Sequence, residues 1–167
     1  MNATPIQEVF DHYVFGFIKA DIEREIQLAK IAAAGHVVAG VNAGGGNVLA
    51  ALGLLCYTEF LGSFVTGQKG RGWSAKNGVA FLKFMGRSYR RELLHNGRLW
   101  DTFRNGLAHE YVIKENCDVV MLKGQEGCGL GRRDGRYYFV VEHYYEDFMA
   151  AATALRGRLF AHPVIPR

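Results

Sequence analysis

Apolar residues recur at intervals of three and four along most of the chain, and this spacing predicts helices. Thr4-Pro5-Ile6-Gln7 has the form of a capping box with proline at the first helical position, so a helix is expected from the N-terminus. Ile18, Ile22, Ile26, Ala29 and Ala33 then form one apolar stripe up to Gly35, on a long helix with a kink expected near Gly16. The glycine-rich stretch GVNAGGGN, residues 40–47, reads as a loop leading into NVLAALGLLCYTEFLGSFV. The apolar residues of that segment surround the helix on nearly all sides, which predicts the buried centre of the fold. Ser74 is placed to cap a third helix through Phe81, Phe84, Met85 and Tyr89, ended by Asn96-Gly97. A fourth helix begins near Arg98 and carries Leu99, Trp100, Phe103 and Leu107 at helical spacing.

After Tyr111 the period changes. CDVVML and RYYFVVEH are β-branched and aromatic runs separated by KGQEGCGLGRRDG, and they read as the two strands of a hairpin with a long loop, at about 116–142. Helical spacing returns through Tyr145, Phe148, Ala152 and Leu155, until HPVIPR stops it. The expected fold is mainly α: one domain over residues 1–167, an antiparallel bundle of four to five helices with a small β-hairpin before the last helix.

Composition narrows the picture. With 167 residues and 49% hydrophobic content, the chain has the size of one domain and enough apolar surface for a core. No uninterrupted apolar run or basic leader predicts a membrane span or signal peptide. Cys56, Cys117 and Cys128 form no CxxC pair and are too few for a disulfide framework, so a soluble cytoplasmic protein is expected. Cys117 and Cys128 are expected to face each other across the hairpin rather than hold zinc. His36, His95 and His143 show no metal-ligand spacing either, and neither a metal nor another cofactor is expected.

Charge is unevenly distributed. Residues 1–67 carry three Lys/Arg against six Asp/Glu, and residues 105–167 carry eight against eight. Residues 68–104 carry nine, including Arg87, Arg90, Arg91 and Arg98, against only Glu92 and Asp101. Such a strip is either a solvated helix face or the electrostatic footprint of a nucleic-acid-binding surface that contacts phosphates.

The strip ends on FRNGLAHEY. On an ideal helix of about 100° per residue, Asn105 and His109 share a face, whereas Arg104 and His109 point about 140° apart. To meet one phosphate, they need the helix to open at Gly106 or a second copy of the chain to face the first. A histidine can take a proton from a ribose 2′-hydroxyl or give one to a leaving 5′-oxygen, while an arginine holds the phosphate. The plain alternative is a helix end whose Arg and His satisfy free carbonyls and the macrodipole.

FRNGLAHEY resembles the R-x4-H signature of HEPN domains, the higher-eukaryote and prokaryote nucleotide-binding superfamily, with Arg104, Asn105 and His109 at its three places. The helical order is also similar, with Glu59 as the acidic residue of a buried second helix and the motif ahead of a last packing helix. The resemblance covers the pattern of residues 17–111 and 144–160, and the excursion at 116–142 departs from it. It implies a metal-independent endoribonuclease acting as a homodimer, with two motifs converging in a cleft between protomers. Arg104 and His109 would be the reacting residues, Asn105 would orient His109 or the phosphate, and Glu59 would hold Arg104. Arg87, Arg90, Arg91 and Arg98 would bind RNA. The superfamily includes toxins and defence effectors, which implies a separately encoded antitoxin or regulator as a further partner. Other members serve only as binding or dimerisation modules.

Two other features have weaker chemistry. GVNAGGGN lacks GK[ST] and does not follow a strand, so it is read as a loop rather than a phosphate cradle. Trp73, Trp100 and the tyrosines of RYYFVVEHYY could stack on bases, but packing usually claims such aromatics, and no function is assigned to them.

Overall fold

The computed structural model describes residues 5–41, 45–69, 72–95, 98–107 and 116–161. The fold is mainly α, with a small sheet before the last helix. Helix α1 (Pro5–Glu8) begins at the proline predicted to open it, and the chain continues through a π-helical stretch (Val9–Ile18) into α2 (Lys19–Ala33). Gly16 thus sits where the backbone widens to π geometry. Of the predicted stripe, Ile18, Ile22 and Ile26 are buried, continuing from Phe10 and Val14 before them, whereas Ala29 is half-buried and Ala33 exposed.

Helix α3 (Asn47–Thr66) follows the glycine loop and packs against α4 (Ser74–Met85) and the last helix, α7 (Val141–Ala161). Its length and composition would suffice to cross a membrane, but Ala51, Leu54, Leu55 and Leu61 are fully buried in the core. The expectation of burial on nearly all sides needs correction. Leu49 is 63% and Phe60 41% exposed, and Cys56 is exposed between them, so α3 is covered on one side only.

The predicted third helix is two helices, α4 and α5 (Arg87–His95), separated by Gly86 at φ 144°. That backbone conformation is open to glycine and strained for side-chain-bearing residues, so the periodicity runs across a break. Tyr89, the buried residue of α5, donates a hydrogen bond from its hydroxyl to Asp147 Oδ2 at 2.8 Å and accepts one from Gly129 N at 3.1 Å. One phenol therefore ties α5 to both α7 and the sheet.

Helix α6 (Leu99–Asn105) is held against α4 by Trp100, which is only 2% exposed. A Cβ built at Gly78 would collide with Cζ2 of the Trp100 ring, so only glycine lets the indole approach. This close approach sets how far α6 lies from α4.

The excursion holds three strands, β1 (Cys117–Val120), β2 (Leu130–Arg133) and β3 (Arg136–Val140), in the order β1-β3-β2. The hairpin joins β2 to β3 through Asp134 and Gly135, both at positive φ, the backbone of a tight two-residue turn. The run CDVVML, expected to form a hairpin with RYYFVVEH, is a strand only over CDVV and pairs with β3 in parallel, with Val119 opposite Phe139. Cys117 and Cys128 therefore do not face each other across a hairpin, because β3 lies between β1 and β2.

Strand β3 runs directly into α7, whose Tyr144 is fully buried. The Tyr144 ring stacks on Phe139 with centroids 4.7 Å apart, and its hydroxyl shares a 2.7 Å hydrogen bond with Thr58 on α3. Sheet, last helix and central helix thus meet at one tyrosine.

Candidate functional site

Helix α6 places Arg104 in its last turn, one residue before Asn105. Trp100 and Phe103 face the core, and Arg104, about 100° further round the helix than Phe103, turns toward α3. There Arg104 Nε donates to Glu59 Oε1 at 2.7 Å, and Nη2 lies 3.4 Å from Glu59 Oε2. The expected pairing of Glu59 with Arg104 is therefore present in the geometry, between side chains 15% and 27% exposed. Such a two-point contact fixes the plane of the guanidinium as well as its position.

A third group joins them. Arg104 Nη2 also donates to Ser74 Oγ at 3.4 Å. Ser74 opens α4 without capping it: Trp73 holds the N-cap position and makes no side-chain cap hydrogen bond. The serine read from sequence as a helix cap instead receives the motif arginine.

Glu59 raises the guanidinium pKa of Arg104 by hydrogen bonding, against a smaller opposing effect of burial, so the cation persists throughout the working pH range. The pKa of Cys56, one turn before Glu59, is raised as well, which for a thiol favours the neutral form. Although Cys56 is exposed at the surface, partial desolvation pushes its thiol above the ordinary value, Glu59 adds to this and Arg104 counters it. The thiol stays protonated near neutrality and is a poor nucleophile.

Asn105 is exposed at the end of α6, and the chain continues through Gly106 and Leu107 in a π-helical turn. This widening begins at Gly106, where opening of the helix is one of two ways for Arg104 and His109 to approach each other. His109 lies outside the described residues. Of the motif, the described geometry places Arg104 and Asn105.

Arg87, Arg90, Arg91 and Arg98 are all exposed, three on α5 and the last at the start of α6. They are not equally available. Arg90 Nε donates to the Lys83 carbonyl at 2.8 Å, and Arg91 Nε lies 3.7 Å from Glu92 Oε1. Among the described residues no group of three His, Cys, Asp or Glu side chains could hold a metal ion.

Sequence reasoning missed Ser74 as a partner of Arg104, and it assigned no role to Trp73 beside it. Neither has a local signal, because the contact joins residues 30 positions apart. Compared with known proteins, the chain matches no family model, no curated protein and no solved structure.

Proposed function

We propose that this protein is a metal-independent endoribonuclease of the HEPN type, active as a homodimer in a toxin or defence role, with Arg104 and His109 as its reacting residues. The observation that carries the reading is the Glu59 contact to Arg104 at 2.7 Å. A carboxylate on the central helix holds a guanidinium at the end of α6, beside Ser74 and next to the only strongly basic stretch of the chain.

In this reading His109 removes the proton from a ribose 2′-hydroxyl, and the 2′-oxygen attacks the adjacent phosphorus. The bond to the 5′-oxygen breaks, and that oxygen leaves with a proton from the second histidine of the dimer. Arg104 neutralises the additional charge on the pentacoordinate phosphate. The products are a 2′,3′-cyclic phosphate and a 5′-hydroxyl. Asn105 orients His109 or the phosphate, and Arg87, Arg90, Arg91 and Arg98 bind the RNA backbone. Such an activity works either alone or under an antitoxin or regulator encoded separately.

The test uses purified protein with mixed RNAs under excess chelator. Cyclic phosphate ends that disappear in both Arg104→Ala and His109→Ala support the reading. Mixing the two variants addresses the dimer, since clefts built from both chains regain activity in some mixed pairs. Uncleaved RNA under all conditions sinks it.

A second reading, a non-catalytic nucleic-acid-binding or dimerisation module, draws on the same ion pair. Glu59 engages two nitrogens of Arg104, which is also what a pair that merely locks α6 to α3 would do. Bound but intact RNA would favour this module.

A further inference from the structure

The chain has two tryptophans, and the fold treats them differently. Trp100 is buried against Gly78. Trp73 is only partly buried and lies outside the hydrophobic core. Its backbone is anchored, because its carbonyl accepts the Asn77 N–H at 2.7 Å as α4 begins. Its indole carries the Lys76 ammonium 4.6 Å from the ring centroid. The next residue, Ser74, receives Arg104 Nη2. The indole is therefore one residue from the hydroxyl that touches the motif arginine.

We infer that Trp73 is a stacking platform for a nucleobase of single-stranded RNA whose phosphate lies at Arg104. This inference rests on the ribonuclease reading and adds to it the element that receives the base. A nucleotide carries its base and its phosphate on one unit, so a phosphate at Arg104 brings a base toward Ser74, beside the indole. Aromatic stacking accepts any base, since every base offers a π face. Lys76 strengthens the site twice over, through its cation–π contact with the ring and by offering charge to a neighbouring phosphate. The surroundings favour a polyanion over a protein surface. Between Glu59 and Glu92 the sequence has no Asp or Glu, while Lys69, Lys76, Lys83 and Arg87 fall in that interval.

Trp73 also supplies its own reporter. A short 2′-O-methyl oligouridine cannot be cleaved by 2′-hydroxyl attack, so its binding can be followed at equilibrium by anisotropy of an end label while tryptophan emission is read. The wild-type protein should bind with quenching of its emission. Trp73→Phe should bind within about threefold of wild type but lose the quenching, because the buried Trp100 does not respond. Trp73→Ala should bind roughly tenfold to a hundredfold more weakly, the scale of losing one base–aromatic stack. On an abasic strand of the same length the alanine variant and wild type should bind alike. Binding without quenching, or equal affinity of Trp73→Ala and wild type for the oligouridine, overturns the platform and leaves the ribonuclease reading intact. A dimer that dissociates on Trp73→Ala makes the indole a subunit contact and also overturns it. Failure of the wild-type protein to bind any oligonucleotide removes both.

Discussion

Glu59 and Arg104 are 45 positions apart in the chain and meet at 2.7 Å, the carboxylate from the central helix α3 and the guanidinium from the last turn of α6. Neither side chain is fully buried, so the pair escapes the full desolvation cost of a core ion pair while remaining better shielded than a surface one. The contact both fixes α6 against α3 and sets the plane of the Arg104 guanidinium.

Glu59→Ala should therefore act twice. Loss of the pair should lower stability by roughly 1–3 kcal/mol, between the surface and buried limits, as read by urea denaturation. RNA cleavage should fall further than folding explains, because the guanidinium is no longer oriented. Arg104→Lys tests the geometry separately: it keeps the charge but not the fork, and it should restore little cleavage. Full activity in Arg104→Lys would reduce the role of Arg104 to charge alone.

Gly78 controls the same site from a distance. A methyl group there would collide with Trp100, so Gly78→Ala must push α6 outward or force the indole from its place. The expected cost is about 1–3 kcal/mol of overpacking, with the Arg104 contact to Glu59 weakened in the folded protein. Thermal melting measures the first effect, and a double-mutant cycle between Gly78→Ala and Glu59→Ala measures the second. Strict additivity would show that α6 does not move.

The sequence carried the helical stripes, the core positions Phe81, Trp100, Phe103 and Phe148, and the expectation that Glu59 meets Arg104. It did not carry the break at Gly86, since the apolar period of α4 and α5 continues across it and only the backbone angle reveals it. The parallel pairing of β1 with β3 was hidden for another reason. LGRR has little β character and reads as loop, so the two β-rich runs are the ones that the pattern pairs with each other. The Asp134-Gly135 dipeptide was the available signal for a tight turn at that point. Composition overstates the burial of α3, because it reports how apolar a helix is, and Leu49 and Phe60 are apolar but exposed.

Stability should respond to acid through Glu142. This carboxylate is buried at the start of α7, lies 2.6 Å from Lys30 Nζ and accepts the Lys123 N–H at 2.9 Å. Burial alone would raise its pKa, but the Lys123 N–H and the Lys30 ammonium outweigh it and hold the carboxyl below its ordinary value. A carboxyl with a lowered folded-state pKa stabilises the protein above its unfolded pKa, and this contribution is lost as pH falls through the folded value. The melting temperature of the wild type should therefore decline below about pH 4.3, the ordinary glutamate range, and Glu142→Gln should flatten part of that decline. Parallel melting curves for the two proteins from neutral pH to strong acid would remove Glu142 from the acid response.

The exposed arginines differ in what already holds them, and this orders their expected effects on RNA binding. Arg87, Arg90 and Arg91 lie within one side of α5, opposite the buried Tyr89. Arg90 is tied to the Lys83 carbonyl and Arg91 stands near Glu92, whereas neither contact involves Arg87. A guanidinium that must give up a hydrogen bond or a carboxylate to reach a phosphate gains less from doing so. Charge removal at Arg87 should then weaken binding most, at Arg91 less, and at Arg90 least, by similar factors for every RNA sequence, because backbone contacts carry no base information. For every phosphate that a variant no longer neutralises, the dependence of log affinity on log salt should become shallower by up to about one unit. The measurement is a salt titration of oligonucleotide binding for each single variant and for the Arg87, Arg91 pair. Cleavage at saturating RNA should persist in all of them, since none touches the reacting atoms. Salt slopes that match the wild type in every variant would make the arginines of α5 a solvated face, with RNA binding confined to the neighbourhood of Arg104.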